Sequence, residues 1–201
     1  MTMFKIIAEP WVGKDYEKGI NGCKVLGLGE SHYCANPSDF NPEITRNVIS
    51  DLYDPQSEHE PYKNTYAKFI NALAGEKLDF SGKEKWWGKI AFYNYVQTPM
   101  TGARVSPSIE DFKNSEEAFF KVIEKLRPSH IIVWGKRLFE YTPSCGQELP
   151  SIKMSDGTEV RRWEYVLKDG LHVKLMEMKH PSTGFSTDYW NEAIQRFLTL
   201  P

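Results

Sequence analysis

The chain has 201 residues, 40% of them apolar and 13% aromatic, which is enough for a buried core and argues against a disordered or low-complexity protein. Its 25 Lys and Arg stand against 27 Asp and Glu, a net charge of −2, which argues against a general basic coat for nucleic acid while leaving room for a local basic face. Three cysteines, Cys23, Cys34 and Cys145, without C-x-x-C spacing do not form a disulfide framework or a zinc site and read as free thiols in a reducing cytosol.

Lys24–Gly29 (KVLGLG) predicts a buried strand that ends in a glycine turn. Asn41 and Pro42 suit a helix N-cap and first helical position, with Ile44, Val48, Ile49 and Leu52 forming one apolar face after them. Tyr66, Phe69, Ile70 and Leu73 make a second helical face, closed by Gly75. Lys89–Val96 (KIAFYNYV) predicts a second strand that ends before Pro99. Ser108-x-x-Asp111 has the form of a capping box, and the helix after it carries Phe112, Phe119, Val122, Ile123 and Leu126 and stops near Pro128. His130–Trp134 predicts a third strand ending at Gly135, followed by a short helix, Lys136–Tyr141.

From Pro150 to Met178 the pattern changes. Asp156-Gly157 and Asp169-Gly170 are hairpin turn signals between runs rich in Val, Trp, Tyr and Leu. They predict a β-meander near 150–178 whose last strand, His172–Met178, also joins the main sheet. A terminal helix buries Trp190, Ala193, Ile194, Phe197 and Leu198. Strands that alternate with helices predict an α/β fold: one domain over 1–201, a three-layer αβα sandwich with a mainly parallel central sheet. Ligands of such sheets bind outside the carboxyl ends of the strands. Three predicted strands end in Gly29-Glu30-Ser31-His32-Tyr33, in Asn94 and in His180-Pro181-Ser182, so those residues are expected along one edge.

Other readings fit less well. The turn LGLGES lacks the G-x-G-x-x-G fingerprint and the phosphate-binding G-x-x-x-x-G-K-[ST] loop, and Ser31 does not stand in G-x-S-x-G. No run approaches the roughly 18 apolar residues of a membrane span, and Met1–Pro10 lacks the apolar core and cleavage site of a secretory signal. A cytoplasmic, monomeric protein without a membrane partner is expected. Two clusters, Lys83/Lys85/Lys89 and Lys136/Arg137/Arg161/Arg162, read most simply as solvated surface.

The order strand–G-E-S-H-Y, strand–F-Y-N, strand–I-I-V-W-G-K, strand–H-P-S, from Lys24 to the C-terminus, resembles the uracil-DNA glycosylase superfamily. That resemblance implies hydrolysis of the N-glycosidic bond of a uracil or other damaged base flipped out of DNA. It implies that Asn94 reads the base edge, Tyr33 closes the pocket beside Gly29, and His180 donates a hydrogen bond to the departing base. Ser182 and Lys136 are then expected at phosphates, and Phe185 at the apolar wedge that fills the gap in the stack. The sequence departs from the family in two places. Thr183-Gly184 replaces the expected Pro, and Ser31 stands where the family's water-activating Asp, Asn or Ala does. A serine without a partner is a poor base at neutral pH, so Glu30 and His32 are the neighbouring candidates for that role. The four cysteines that hold an iron–sulfur cluster in some branches are missing, and no metal or other cofactor is expected. The expected partner is DNA or a nucleobase-containing ligand. A catalytically weak or inactive relative that binds DNA, a nucleobase or a nucleoside is the alternative.

Overall fold

A computed structural model describes residues 6–102, 105–182 and 184–200. It has seven strands and six helices in chain order: β1 (Trp11–Val12), β2 (Val25–Gly29), α1 (Ile44–Asp51), α2 (Lys63–Ala74), α3 (Phe80–Trp87), β3 (Ala91–Asn94), α4 (Ile109–Leu126), β4 (His130–Trp134), α5 (Lys136–Tyr141), β5 (Gln147–Lys153), β6 (Glu159–Val166), β7 (His172–Met178) and α6 (Thr187–Thr199). The first five residues, part of the stretch examined for a signal, lie outside the described residues, as does Thr183.

The strands form one sheet in the order β1-β3-β2-β4-β7-β6-β5. Its centre, β3-β2-β4-β7, is parallel, whereas β1 at one edge and β6 and β5 at the other are antiparallel. The sheet is therefore mixed, and the expectation of a mainly parallel sheet holds only for its core. Strands β3, β2 and β4 read as near-continuous apolar runs because both of their faces are covered. Every residue of β2, β3 and β4 is buried.

Alternation along the strands divides the core in two. Phe92, Ile132, Trp134, Met176 and Met178 face α1, α2, α3 and α6. Tyr93, Ile131, Val133, Val173 and Leu175 face α4 and α5. The amphipathic helices start and stop where their sequences dictate. The α4 capping box is complete: the Asp111 N–H donates to Ser108 Oγ at 3.2 Å, and the Ser108 N–H donates to Asp111 Oδ2 at 2.9 Å. Ser186 caps α6, and Asp79 caps α3.

Other boundaries differ from the expectation. The helix expected from Pro42 begins at Ile44, because Asn41 closes a turn in which its Oδ1 accepts from the Glu43 N–H at 3.0 Å. The second strand contracts to Ala91–Asn94, and the meander starts at Gln147 rather than Pro150. The two-residue β1 and α3 were not foreseen. The sequence of α3, FSGKEKWW, has no apolar stripe and buries only Trp87. Two of the clustered lysines sit over rings there, Lys83 Nζ 5.1 Å from the Phe80 centroid and Lys89 Nζ 4.1 Å from that of Trp86. No described helix is long and apolar enough to cross a membrane.

The core under α2 depends on Phe69, fully buried and packed against Trp134 with ring centroids 4.8 Å apart. Phe69→Ala is expected to cost about 3–5 kcal/mol, read as a lowered urea midpoint with an unchanged slope.

Candidate functional site

Chain order makes the site. From β2 the chain passes over one face, through α1 to α3, to β3 on one side. It then crosses by way of α4, on the opposite face, to β4 on the other side of β2. This reversal opens a crevice beyond the carboxyl ends of the parallel strands. A cleft of about 810 Å³ lies there. The segments that follow all four parallel strands line it: Gly29–Tyr33 after β2, Asn94 at the end of β3, Trp134–Leu138 after β4, and Glu177, Lys179, His180 and Ser182 at the end of β7. Ile44 and Val48 of α1, Tyr62 just before α2, Thr65 and Tyr66 of α2, and Trp190 of α6 complete the walls.

Asn94 is the floor. It is 3% exposed, and its Nδ2 donates to His32 Nε2 at 3.0 Å. A further side-chain hydrogen bond joins it to Tyr66, opposing the rise that burial imposes on the Tyr66 pKa. A Cβ on Gly29 would lie 2.1 Å from Asn94 Oδ1 and 2.9 Å from the Phe92 ring, so only glycine lets the amide seat here. Gly29 thus fixes the position that the Asn94 amide takes.

The three residues considered for water activation have different surroundings. His32 is buried, and its Nε2 is shared between Asn94 and Thr45 Oγ1, the latter at 2.9 Å. With the amide donating to Nε2, the ring proton sits on Nδ1. His32 is thus a positioning residue with its lone pair occupied, not an available base. Glu30 is held by a bidentate fork from Arg137, with Nε donating to Oε2 at 2.8 Å and Nη2 donating to Oε1. Arg137 also donates to Ser106 Oγ at 2.6 Å. Both oxygens of the carboxylate are thereby engaged by one guanidinium. Ser31 Oγ is buried, lines the cleft and has no hydrogen-bond partner among the described residues.

His180 is arranged differently. The Ser182 N–H donates to its Nδ1 at 3.3 Å, and Ser182 Oγ lies 2.8 Å from the same nitrogen. A backbone N–H can only donate, so Nδ1 accepts and the neutral imidazole carries its proton on Nε2. The ring stands edge-on to Trp134 with centroids 6.2 Å apart, and Gly135, at φ 101°, passes beneath it with room for a Cβ 3.5 Å from that of His180. One side of His180 stays open to solvent. The surrounding walls nevertheless lower its pKa by burial, against the pull of Glu30 and with that of Arg137. The result is a neutral ring with a fixed N–H donor.

The remaining expected residues divide. Tyr33 lines the cleft and is 54% exposed, so it is no core aromatic. Lys136 lies at the rim, 3.8 Å from Glu140. Ser182 serves His180 and accepts from Lys68 Nζ through its backbone oxygen at 3.2 Å. Phe185 does not project as a wedge. It is half-buried and parallel to Trp190, with centroids 6.1 Å apart. Tyr66, Trp134 and Arg137 belong to the cleft although the sequence placed the first two in the core and the third on the surface. Tyr66 follows the same helical period as Phe69 and Leu73, and nothing in that period separates a cleft wall from a core face. Glu177, whose pKa burial raises against Arg161 3.6 Å away, also lines the cleft. Among the described residues, no group of three or more His, Cys, Asp or Glu side chains could hold a metal ion.

Burial lowers the pKa of His32 to about 4, and burial together with Lys174 and Arg162 lowers that of His130 to about 4. Both are depressed below the ordinary value of about 6.5. The unfolded chain therefore binds protons that the folded chain refuses. Stability is full above about pH 6.5 and falls as pH drops towards 4. For His32 the loss is on the order of 3 kcal/mol across that window. Thermal unfolding between pH 7 and pH 4.5 should show a falling midpoint, and His32→Asn should fall less steeply over the same range. Equal slopes would refute the assignment to His32.

No protein-family model matches the chain, and no curated protein matches it.

Proposed function

We propose that the cleft is the base pocket of a DNA glycosylase-like hydrolase with a divergent uracil-DNA glycosylase-type fold. The observation that carries this reading is the His180 Nε2–H, a donor whose tautomer Ser182 fixes, at the mouth of a cleft that Asn94 floors from a different strand. The chemistry asks for such a donor. The bond between C1′ and the base nitrogen breaks with its electron pair leaving on the base, and negative charge collects on a ring carbonyl oxygen. A preorganised N–H aimed at that oxygen stabilises the transition state more than the ground state. The sugar becomes oxocarbenium-like, a water oxygen bonds to C1′, and the water proton passes to solvent. Ser31 Oγ is the polar group that orients this water. Lys136 and Lys179 at the rim suit DNA phosphates, while the Arg137 charge is taken up by Glu30.

One observation favours a second reading, base or DNA binding without turnover. Among the described cleft residues, both carboxylates have a cation: Glu30 is clamped by Arg137, and Glu177 lies 3.6 Å from Arg161. The fork on Glu30 keeps it from serving as a free base for water, whereas Glu177 Oε2 is buried and makes no hydrogen bond among the described residues.

The test is cleavage of single- and double-stranded oligonucleotides that each carry one damaged base, uracil included, developed as alkali-labile breaks. The enzyme reading expects breaks that His180→Ala reduces by about 10²–10³-fold, with folding intact by circular dichroism. Binding of these oligonucleotides without breaks at any lesion would decide for the second reading. Breaks that His180→Ala leaves unchanged would remove His180 from the mechanism.

A further inference from the structure

We infer that the hydroxyl of Tyr66, held in place by Asn94, is the donor that meets the edge of the bound base, so that Asn94 is a positioning residue and Tyr66 the group that reads. This rests on the glycosylase reading and assigns it a ligand-facing donor besides His180.

The first observation is where the hydrogen bonds of the Asn94 amide go. Its oxygen occupies the space over Gly29, where a Cβ would lie 2.1 Å from Oδ1. Its Nδ2 donates one hydrogen to His32 Nε2 at 3.0 Å, and an amide nitrogen carries two. The other is directed at Tyr66: the bond between them favours the ionised phenol over the neutral one, which is the effect of a hydrogen bond donated to the phenolic oxygen. Turning the amide onto a ligand would break both bonds in a buried setting, where an unmade hydrogen bond is costly.

The second observation is what that leaves on Tyr66. A phenolic hydroxyl accepts and donates, so an oxygen that accepts from Asn94 still has its own hydrogen to give. Tyr66 is partly buried and lines the cleft. Its ring is enclosed by Trp134, Phe92 and Trp87, with centroids 5.2, 5.3 and 6.1 Å away, so it has little room to swing. Burial raises its pKa and keeps the hydroxyl protonated at neutral pH. The donor is thus fixed in place before a ligand arrives, the condition under which it favours developing charge most.

The third is how Tyr66 differs from its neighbours. Tyr62, four residues earlier on the same wall, gives its hydroxyl hydrogen to Asp51 Oδ2 at 2.9 Å. Ser31 Oγ, Trp134 Nε1 and Glu177 Oε2 belong to cleft residues and have no hydrogen-bond partner among the described residues, so each keeps capacity for a ligand or water. Tyr66 alone among these groups is tied to the floor, and through Asn94 to His32 and Thr45.

The experiment is single-turnover cleavage of oligonucleotides that each carry one damaged base, uracil included, by the unaltered chain, Tyr66→Phe, Asn94→Ala and the double variant. Tyr66→Phe keeps the ring and its packing and removes only the hydroxyl. It is expected to slow cleavage about tenfold or more, the scale of one lost hydrogen bond, with an unchanged thermal midpoint. Because Asn94 acts through that hydroxyl, the double variant is expected to be no slower than the slower single variant by more than about threefold. A second measurement does not depend on the Asn94 variants folding. On the lesion cut fastest, each carbonyl oxygen of the base is exchanged in turn for sulfur, a poorer acceptor. At the position that the hydroxyl meets, the loss caused by Tyr66→Phe is expected to shrink to about twofold or less. A Tyr66→Phe rate equal to that of the unaltered chain overturns the inference and leaves the glycosylase reading standing. So do losses that multiply in the double variant, which return the edge of the base to Asn94, and a Tyr66→Phe loss that is the same for oxygen and for sulfur at every position. No cleavage of any lesion by the unaltered chain overturns both.

Discussion

The site depends on one close approach. Gly29 at the end of β2 and Asn94 at the end of β3 are register partners in parallel strands, and the Asn94 amide oxygen occupies the space that a side chain on Gly29 would fill. Everything around the floor follows from that contact. Seated against Gly29, the amide presents Nδ2 to His32, and the shared His32 Nε2 reaches Thr45 on α1. A backbone contact inside the sheet thereby fixes a loop after one strand and a helix that forms one wall. Interiors packed at this density do not deform continuously, so a small displacement of Asn94 would move several cleft residues together.

Charge is arranged by the same economy of partners. His32 is kept neutral by burial, and Glu30 is satisfied by Arg137. Paired groups of this kind fix geometry, because each is expensive to leave unpaired in a partly buried setting. The cleft residues with hydrogen-bonding capacity left over among the described residues include His180 at Nε2, Ser31 at Oγ, Trp134 at Nε1 and Glu177 at Oε2. The network has therefore converted three of the four residues that sequence reasoning put forward for chemistry into two kinds. Glu30 and His32 hold the scaffold, and Ser31 faces the ligand space.

The division between what the sequence revealed and what it did not has physical causes. Strands β2 and β4 were legible because buried parallel strands are written as apolar runs bounded by glycine or polar residues, and β7 because it follows the Asp169-Gly170 turn signal. The α4 boundaries were legible because Ser108 and Asp111 cap in a form visible in four letters. The convergence of Gly29–Tyr33, Asn94 and His180 was legible because parallel strands put their carboxyl ends on one edge. The antiparallel flanks blurred the sheet type, since pairing direction is decided by connections rather than by composition. Helix α3 was hidden because it packs mainly through Trp87 and is otherwise polar. Within the site, the roles of Glu30 and His32 were not legible, because their partners Arg137 and Thr45 are 107 and 13 residues away. Phe185 was misread because a ring before a helix can point outward or fold back, and Trp190 supplies the surface that folds it back.

On the proposed glycosylase reading, a fixed imidazole donor also bears on how the site would work with a serine at the water-activating position. In a dissociative reaction the demand for a nucleophile is low once the leaving base carries its charge comfortably. The rate is then governed by stabilisation of that charge and by orientation of the water, not by proton abstraction. Ser182 holds His180 so that its proton is on the outward nitrogen before any ligand arrives. No reorganisation is required when charge develops, which is the condition under which a single hydrogen bond contributes most. On that proposed reading, the pocket favours bases whose anions are already stable, and leaving-group acidity does the work that a water-activating carboxylate does where one is free. The clamping of Glu30 by Arg137 and the preorganisation of His180 are, on the proposed glycosylase reading, two sides of one arrangement that places selectivity on the base that leaves rather than on the water that arrives.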